Sequence, residues 1–254
     1  PLVQQAMTCE TVADLDRIDW PDPAGMDLSG LRERCESMSE YAIMGGSWAP
    51  FFHEMGWLIG QEEYFVRMHT DPAFVEALTE RVVNVHLGIN ERVFSEAGDL
   101  IDFCFFGNDF GTQRGLFIRP DQFRRFCLPS IRRLTDHAHE HGLHVWLHSC
   151  GSIRDVIPDL IDAGVEALHP IQVSAAGMDP DELGREFGKD LLFVGGVDVH
   201  ELLRTGTPGE VRDVVRTNRR LLGPAYGVSP SHEAVLPDVK LENLLAMCDA
   251  AREA

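Results

Sequence analysis

The stretch Leu143-His144-Val145-Trp146-Leu147-His148-Ser149-Cys150-Gly151 indicates both the fold class and a candidate site of this protein. Its first part is an apolar run of the length of a buried β-strand, and the run ends in polar residues and a glycine. Alternate residues at the end of a strand point to the same side, so the imidazole of His148 and the thiol of Cys150 can face one point in space. That spacing is typical of metal ligands, although a buried histidine beside a buried free cysteine has the same pattern.

Five further apolar runs are similar to this one, and helical patterns lie between them. All six runs are almost continuously apolar, which is typical of parallel strands that are buried on both faces. The predicted strands are Tyr41–Gly45, Leu100–Phe106, Leu143–His148, Val165–Ile171, Leu191–Gly195 and Ala225–Ser229.

Three of the helices between these strands have recognisable ends. One is predicted from Asp71-Pro72 to about Ala97 and a second from Pro120 to about His141, and each is followed by glycine. Proline at the start and glycine after the end is the usual asymmetry of helices. A third helix is predicted to begin at Thr207-Pro208-Gly209-Glu210, which has the spacing of a capping box.

Six strand–helix units in succession favour an α/β fold of the TIM (β/α)8 barrel type over an open sheet. For two of the eight strand–helix units of such a barrel, the sequence has no clear pattern. Either they are irregular within Pro1–Asp27, a stretch rich in proline and aspartate, or the chain begins inside a longer protein. We expect one domain over residues 1–254, because this length fits a single large barrel.

Composition excludes several classes of function. The net charge of −19 opposes binding to nucleic acid or to an anionic membrane surface. The sequence contains no apolar run of about 18 residues and no pattern of a signal peptide, so we expect a cytoplasmic protein without a membrane partner. Six cysteines are scattered through the chain, which predicts reduced thiols rather than a disulfide framework.

In a barrel, chemistry takes place at the carboxyl ends of the strands, so polar residues that follow a strand are site candidates. Some have a structural alternative: Asp198 can cap a helix, Asp109 can hold a tight turn, and His169 can be a buried imidazole bonded to a carbonyl group. The candidates selected in this way are Asp109, His148, Cys150, His169, Asp198, His232 and Glu233.

Four histidines, His137, His139, His141 and His144, lie around the predicted helix end at Gly142. Because the helix stops there, the four cannot share one helical face. We therefore predict a solvated helix end and no site.

At the candidate residues the chain resembles the uroporphyrinogen decarboxylase superfamily. The resemblance covers nearly the whole chain in order and implies a TIM barrel, together with an amino-terminal segment that normally precedes the position of Pro1. It rests on the combination of Asn108-Asp109-Phe110-Gly111-Thr112-Gln113, the Pro120 helix with Arg132-Arg133-Leu134, His148-Ser149-Cys150-Gly151, Ile157-Pro158-Asp159-Leu160, Gly164, Pro170-Ile171-Gln172, Gly195-Gly196-Val197-Asp198, Ser231-His232, Leu236-Pro237-Asp238-Val239 and Glu242-Asn243.

Within this superfamily, the His-x-Cys pattern is similar to the zinc-dependent corrinoid methyltransferases and to cobalamin-independent methionine synthase, whereas the decarboxylases need no metal. The resemblance therefore implies His148 and Cys150 as ligands of Zn2+. The methyltransferases complete the site with a cysteine shortly before the proline of the last motif. This chain lacks that cysteine, and His232 and Glu233 stand near the place. His169 falls near a glutamate ligand of the methionine synthase and is a further candidate.

The resemblance implies a zinc-dependent methyltransferase or demethylase. It would move a methyl group between a small methylated substrate and a corrinoid (cobalamin) on a partner protein. Asp109 and Asp198 are predicted as catalytic residues, and we expect Asp109 to orient the substrate. Three protein ligands leave one open position on zinc. With His232 as the third ligand, the site would have one anionic donor fewer than a two-thiolate site. We expect such a site to be more Lewis acidic and less suited to methylating thiols.

Two alternatives remain open. A metal-independent decarboxylase of the uroporphyrinogen type would use Asp109 and His232, and it would need bases such as Arg114, Arg119 and Arg154 to bind eight substrate carboxylates. The net charge of −19 works against that substrate. A non-catalytic partner of a corrinoid protein is the other alternative. The oligomeric state is not predicted.

Overall fold

The computed structural model describes residues 2–253. Its strands follow chain order in the sheet, as in a parallel barrel, and each of the six lies in or overlaps a run predicted above. The structure shortens the first strand most, from five residues to two, and it extends the carboxyl ends of the second, fifth and sixth strands by one or two residues. The strands are β1 (Met44–Gly45), β2 (Phe103–Gly107), β3 (His144–His148), β4 (Ala167–Ile171), β5 (Leu192–Val197) and β6 (Gly227–Pro230).

Helices precede, separate and follow the strands. The helices of the described residues are α1 (Leu2–Ala6), α2 (Leu31–Ser37), α3 (Phe51–Ile59), α4 (Gln61–Thr70), α5 (Pro72–Ala97), α6 (Pro120–Phe126), α7 (Leu128–Glu140), α8 (Ile157–Asp162), α9 (Pro180–Phe187), α10 (Leu202–Thr205), α11 (Pro208–Leu222) and α12 (Leu241–Arg252). Short 3-10 turns occur at Val12–Arg17, Pro23–Gly25, Gly98–Leu100 and Arg154–Val156.

Two of the three helix predictions are confirmed. Helix α5 begins after Asp71, whose side chain accepts a hydrogen bond from the Phe74 N–H at 3.3 Å, and it ends at Ala97. Helix α11 begins with the predicted capping box. In that box the Glu210 N–H donates to Thr207 Oγ1 at 3.3 Å, and the Thr207 N–H donates to Glu210 Oε2 at 2.7 Å.

The single helix predicted from Pro120 to His141 is wrong. The structure has two helices there, α6 and α7, which are separated at Cys127. The physical reason is Pro129 in the first turn of α7. Its ring nitrogen cannot donate to the carbonyl four residues earlier, and its ring crowds that carbonyl, so a continuous helix is interrupted just before it.

By its internal contacts the chain divides into two compact units. The first unit comprises the described residues of Pro1–Asn108, Arg119–Trp146 and Asp162–Gly164. The second comprises those of Asp109–Ile118, Leu147–Ile161 and Val165–Ala254. The single domain expected from the chain length stays a prediction.

In the first unit, β1 pairs with β2 in parallel, with Met44 opposite Phe103. Its core includes the packing of α3 and α5, where Phe51, Met55, Phe74 and Leu78 have no exposed surface. In α5 the buried residues recur every three or four positions, which is the pattern of a helix with one apolar face.

In the second unit, β4, β5 and β6 are consecutive parallel neighbours. A core cluster joins the end of β5 to α10, α11 and α12, and its side chains include Val197, Leu203, Val211 and Val215. This packing holds the carboxyl ends of β5 and β6 in place, and the loops that carry several site candidates leave the strands there.

Six parallel strands in chain order agree with part of the expected barrel. The region Pro1–Asp27, where further units were considered, has the short helix α1 and two 3-10 turns in its described part. The full eight-stranded barrel is therefore not confirmed. Within the part of the chain that the structure describes, each helix is too short or too polar to cross a lipid bilayer.

Candidate functional site

His148 and Cys150 point to one place, as their spacing predicts. His148 is the last residue of β3, and both side chains are buried, with 4% and 8% of the residue surface exposed. Cys150 Sγ lies 3.6 Å from His148 Nε2. The strand end thus brings a nitrogen and a sulfur donor close enough to bind the same ion.

Asp109 lies at the same point, although it is about forty positions earlier in the sequence. Its Oδ1 accepts a hydrogen bond from the Cys150 N–H at 2.8 Å and lies 3.2 Å from His148 Nε2. Ser149 supports the same loop, because its hydroxyl oxygen accepts the Phe110 N–H at 3.0 Å. The Asp109 carboxylate is therefore held against the His-x-Cys segment by backbone and side-chain bonds together.

Two glycines allow this close approach. Gly151 has a φ of +81°, and a Cβ atom placed on it would lie 2.4 Å from the carbonyl carbon of Gly111. A Cβ atom on Gly111 would in turn lie 2.7 Å from the Ser152 nitrogen. Only residues without side chains fit where these two loops meet, and the loops carry Asp109 and Cys150.

Glu233 supplies the remaining close donor. Its Oε2 lies 3.5 Å from Cys150 Sγ and 3.8 Å from His148 Nε2. The neighbouring His232 has its Nδ1 occupied, since that atom accepts the Ala234 N–H at 3.0 Å. His232 also belongs to a close donor group with Cys150 and Glu233. Of the two candidates from the last motif, Glu233 is the one with a side-chain oxygen within 3.8 Å of the donor atoms of both His148 and Cys150.

His169 lies at the other ring nitrogen of His148. The two Nδ1 atoms are 3.0 Å apart, so one of the rings donates a proton to the other. Burial, and then the nearby His148, lower the pKa of His169 to about 4. A neutral His169 can accept from His148 Nδ1–H, which leaves His148 Nε2 unprotonated and able to bind a metal. This position suits a residue that orients His148 better than it suits a direct ligand.

Asp198 is placed differently from the other candidates. Its carboxylate accepts the N–H groups of His200 at 3.1 Å and Glu201 at 3.0 Å, as a capping aspartate does. The described donor groups around Cys150 do not contain it. The capping alternative thus accounts for its contacts, and a catalytic role for Asp198 stays a prediction.

Gln172 also contacts the loop that carries Cys150, although it is not one of the predicted site residues. Its side chain is 3% exposed, and its Oε1 accepts the Gly151 N–H at 2.8 Å. It directly follows β4, which ends at Ile171. Its position after the predicted strand Val165–Ile171 is a signal for it in the sequence, because polar residues that follow a strand are site candidates.

The donor atoms fit a tetrahedral cation. Bonds of about 2.0–2.3 Å from zinc to nitrogen, oxygen and sulfur place neighbouring ligand atoms about 3.4–3.6 Å apart. The separations among His148 Nε2, Cys150 Sγ and Glu233 Oε2 are 3.6, 3.5 and 3.8 Å. Burial, and then the charges of Asp109 and Glu233, raise the pKa of the Cys150 thiol. Such an anionic pocket would release its thiol proton when a divalent cation entered it.

Known proteins are similar to this chain in fold and in sequence. A solved structure described as a methyltransferase from Methanosarcina mazei has a TM-score of 0.69 at 18% identity, over 98% of this chain and 76% of that one. The methylated-thiol–coenzyme M methyltransferase of Methanosarcina mazei is 30% identical over 141 residues, or 54% of this chain. The match covers 34% of that relative's length. The family described as uroporphyrinogen decarboxylase (URO-D) matches residues 1–254, and the chain therefore belongs to this family.

Proposed function

We propose that this protein is a zinc-dependent methyltransferase that moves a methyl group from a small methylated substrate to a corrinoid. The observation that carries the proposal is the triangle of donor atoms formed by His148, Cys150 and Glu233, with sides of 3.5 to 3.8 Å. A soft thiolate, an imidazole and a carboxylate are all ligands that zinc accepts, and three of them leave one position open for substrate.

Glu233 changes the charge of the site relative to the sequence-based expectation. With His232 as third ligand, the protein would supply one anionic donor. With Glu233 it supplies two, the thiolate and the carboxylate, as many as a site with two cysteines and one histidine. The proposed site is therefore no longer poor in negative charge, and the argument against a sulfur substrate loses its basis. The similarity to a methylated-thiol–coenzyme M methyltransferase makes methylated thiols the first substrates to test.

The reaction requires that a methyl–heteroatom bond breaks. The electron pair stays on the heteroatom, which then takes up a proton, and the methyl group passes to the reduced corrinoid. When bound, zinc supplies the positive charge that stabilises the heteroatom as negative charge develops on it. The chain itself contributes the buried side chains of His148 and Cys150, the orientation of His148 by His169, and the Asp109 carboxylate beside the donor atoms. We expect Asp109 to orient the substrate and not to bind the metal.

Two of the three arginines that the decarboxylase alternative would need are already paired within the chain. Arg154 forms ion pairs with Glu186 and, at 3.3 Å, with Glu182. Arg119 pairs with Asp121 at 2.6 Å. Positive charge that is already paired within the chain attracts substrate carboxylates weakly, so an octa-anionic porphyrin precursor is the less favoured substrate.

Metal binding provides the first test of the proposal. The purified chain is titrated with Co2+ and with Zn2+, because Co2+ bound to a thiolate gives a near-ultraviolet charge-transfer band, and loss of that band in Cys150→Ser assigns it to this site. We expect about one such site per chain. Cys150→Ser and His148→Ala should abolish the band, and Glu233→Gln should weaken binding. His232→Ala is the matched control and should change it least.

Turnover is the second test. Methylated thiols are incubated with the zinc-loaded protein and reduced cobalamin, and formation of methylcobalamin is followed by absorbance. Cys150→Ser should abolish transfer, because a hydroxyl group does not supply the soft anionic donor at neutral pH. Asp109→Asn should keep the metal and slow the reaction. If Cys150→Ser keeps both metal and activity while Asp109→Asn is inactive, carboxylate-driven decarboxylation replaces this proposal. Metal binding without turnover of any methyl donor would favour the non-catalytic alternative.

A further inference from the structure

A second cluster of metal-binding residues lies in the first unit. Glu91 on α5 faces His137 and His141 at the end of α7. Glu91 Oε2 lies 3.2 Å from His141 Nε2 and 3.8 Å from His137 Nε2. The cluster shares no residue with the proposed methyl-transfer site, so it can be tested separately.

The two histidines share one face of the helix, contrary to a purely solvated helix end. They are four positions apart, which places their side chains one above the other, and their ring centroids are 5.0 Å apart. His139 lies on the exposed side, as expected. The four histidines do not all share one helical face, as predicted. His137 and His141 do share a face.

Neighbouring side chains hold Glu91, His137 and His141 in positions from which all three can bind one ion. Ser95 donates to Glu91 Oε1 at 2.9 Å, which fixes the carboxylate and leaves Oε2 directed at the imidazoles. The ring of Phe94 packs against His137 and His141, with centroids 5.8 and 5.4 Å apart. Outer contacts of this kind keep metal ligands in position.

One atom of the cluster lacks a hydrogen-bond partner. His137 Nε2 is buried, and among the described residues no donor or acceptor lies within hydrogen-bond distance of it. Buried polar atoms in native proteins are nearly always satisfied, so an orphaned ring nitrogen calls for an explanation. A cation beside Glu91 Oε2 would satisfy it. The oxygen–nitrogen separations of 3.2 and 3.8 Å bracket the distance of about 3.4 Å expected between neighbouring ligands of tetrahedral zinc.

We infer that Glu91, His137 and His141 form a second site for one divalent transition-metal cation of the Zn2+ or Co2+ class. Two imidazoles and one carboxylate suit such ions, whereas Ca2+ and Mg2+ prefer oxygen ligands only. The site joins α5 to α7, so bound metal stabilises the packing of these two helices. His137-Ala138-His139-Glu140-His141 also has the His-x-x-Glu-His spacing of some zinc peptidases. The third donor here is Glu91, and the inference is limited to metal binding.

The test uses the whole 254-residue chain with Co2+ and Zn2+ as probes. Equilibrium dialysis in the Cys150→Ser background should show one remaining equivalent of metal, without the near-ultraviolet thiolate band. Adding His137→Ala and His141→Ala should remove that equivalent, with affinity falling at least about tenfold for each imidazole lost. His139→Ala and His144→Ala are matched controls, since both histidines are close to the cluster in sequence but do not belong to its donor group, and these variants should leave the affinity unchanged.

The outcomes separate this inference from the proposed function. If the Cys150-dependent band is absent but the second equivalent remains, only the methyl-transfer proposal fails. If the double variant binds Co2+ as tightly as its parent, the second site does not exist. A Glu91→Gln variant guards against unfolding of the double variant, because it keeps the shape and hydrogen bonds of the side chain. It should weaken binding while the circular dichroism spectrum stays unchanged, and full affinity in this variant would also overturn the inference.

Discussion

Replacing Gly151 by alanine tests whether the two site loops pack as closely as the structure describes. Gly151 has a φ of +81°, and its added Cβ would lie 2.4 and 2.5 Å from the carbonyl carbon and oxygen of Gly111. The substitution therefore has two costs, an unfavourable backbone conformation and a steric clash with backbone atoms that cannot rotate away.

The free-energy costs of the backbone conformation and of the steric clash can be estimated separately. An L residue in the left-handed region costs about 1–2 kcal/mol, and overpacking of a close contact costs about 1–3 kcal/mol. Gly151→Ala should therefore lower the free energy of unfolding by about 2–5 kcal/mol. Gly177→Ala is the matched control in the same unit, because Gly177 has a φ of +73° and the nearest atoms to its Cβ would belong to the Arg154 side chain, at 3.0 Å, and not to backbone. The control should lose only the conformational part.

Thermal unfolding followed by circular dichroism measures the difference. For a protein of this size about 1 kcal/mol corresponds to 2–4 °C, so Gly151→Ala should unfold about 2–12 °C below Gly177→Ala. Its Co2+ affinity should fall as well, because the clash displaces the backbone beside Cys150, which is a proposed ligand. Equal melting temperatures for the two variants would refute the close approach of the loops. If Gly151→Ala is destabilised but binds Co2+ with unchanged affinity, the packing of these loops does not position the proposed metal ligands.

Three further predictions follow from single contacts. His169→Ala should lower metal affinity at the Cys-containing site by about 10–100-fold, since it removes the group that orients a proposed ligand, and an unchanged Co2+ titration would contradict this role. Tyr226→Phe removes a hydroxyl that donates at 2.5 Å to a buried glycine carbonyl and should cost about 1–3 kcal/mol in urea unfolding. Tyr41→Phe, on an exposed side chain, is its control and should cost nothing measurable. Burial raises the pKa of Cys104 to about 12, so iodoacetamide at pH 8 should label exposed Cys248 first, and labelling of Cys104 in the folded protein would argue against its burial.

The sequence predicted the elements where a local signal was sufficient. Helix α5 and the start of α11 follow from capping residues and proline, which act within one helical turn. The prediction of one helix from Pro120 to His141 is wrong because the apolar periodicity continues through Cys127, while Pro129 interrupts the helical hydrogen bonds. That error could have been avoided from the sequence alone.

The candidate site was predictable in part. Residues that follow strands were selected because parallel strands place their carboxyl ends together, and this rule identified Asp109, His148, Cys150 and Glu233. The choice between His232 and Glu233 could not be made from sequence. Adjacent residues differ in the direction of their side chains, and that direction depends on how the loop after β6 folds.

The sequence by itself determined the strand that ends at His148 and is followed by Cys150, the order of the strand–helix units and the membership of the family, because periodicity and short motifs are local properties of the chain. The tertiary structure alone decided that Glu233 joins this pair and that His169 stands behind His148. It also decided that Glu91 meets His137 and His141. These contacts join residues that are 21 to 85 positions apart, and their distances depend on the packing of whole elements against one another.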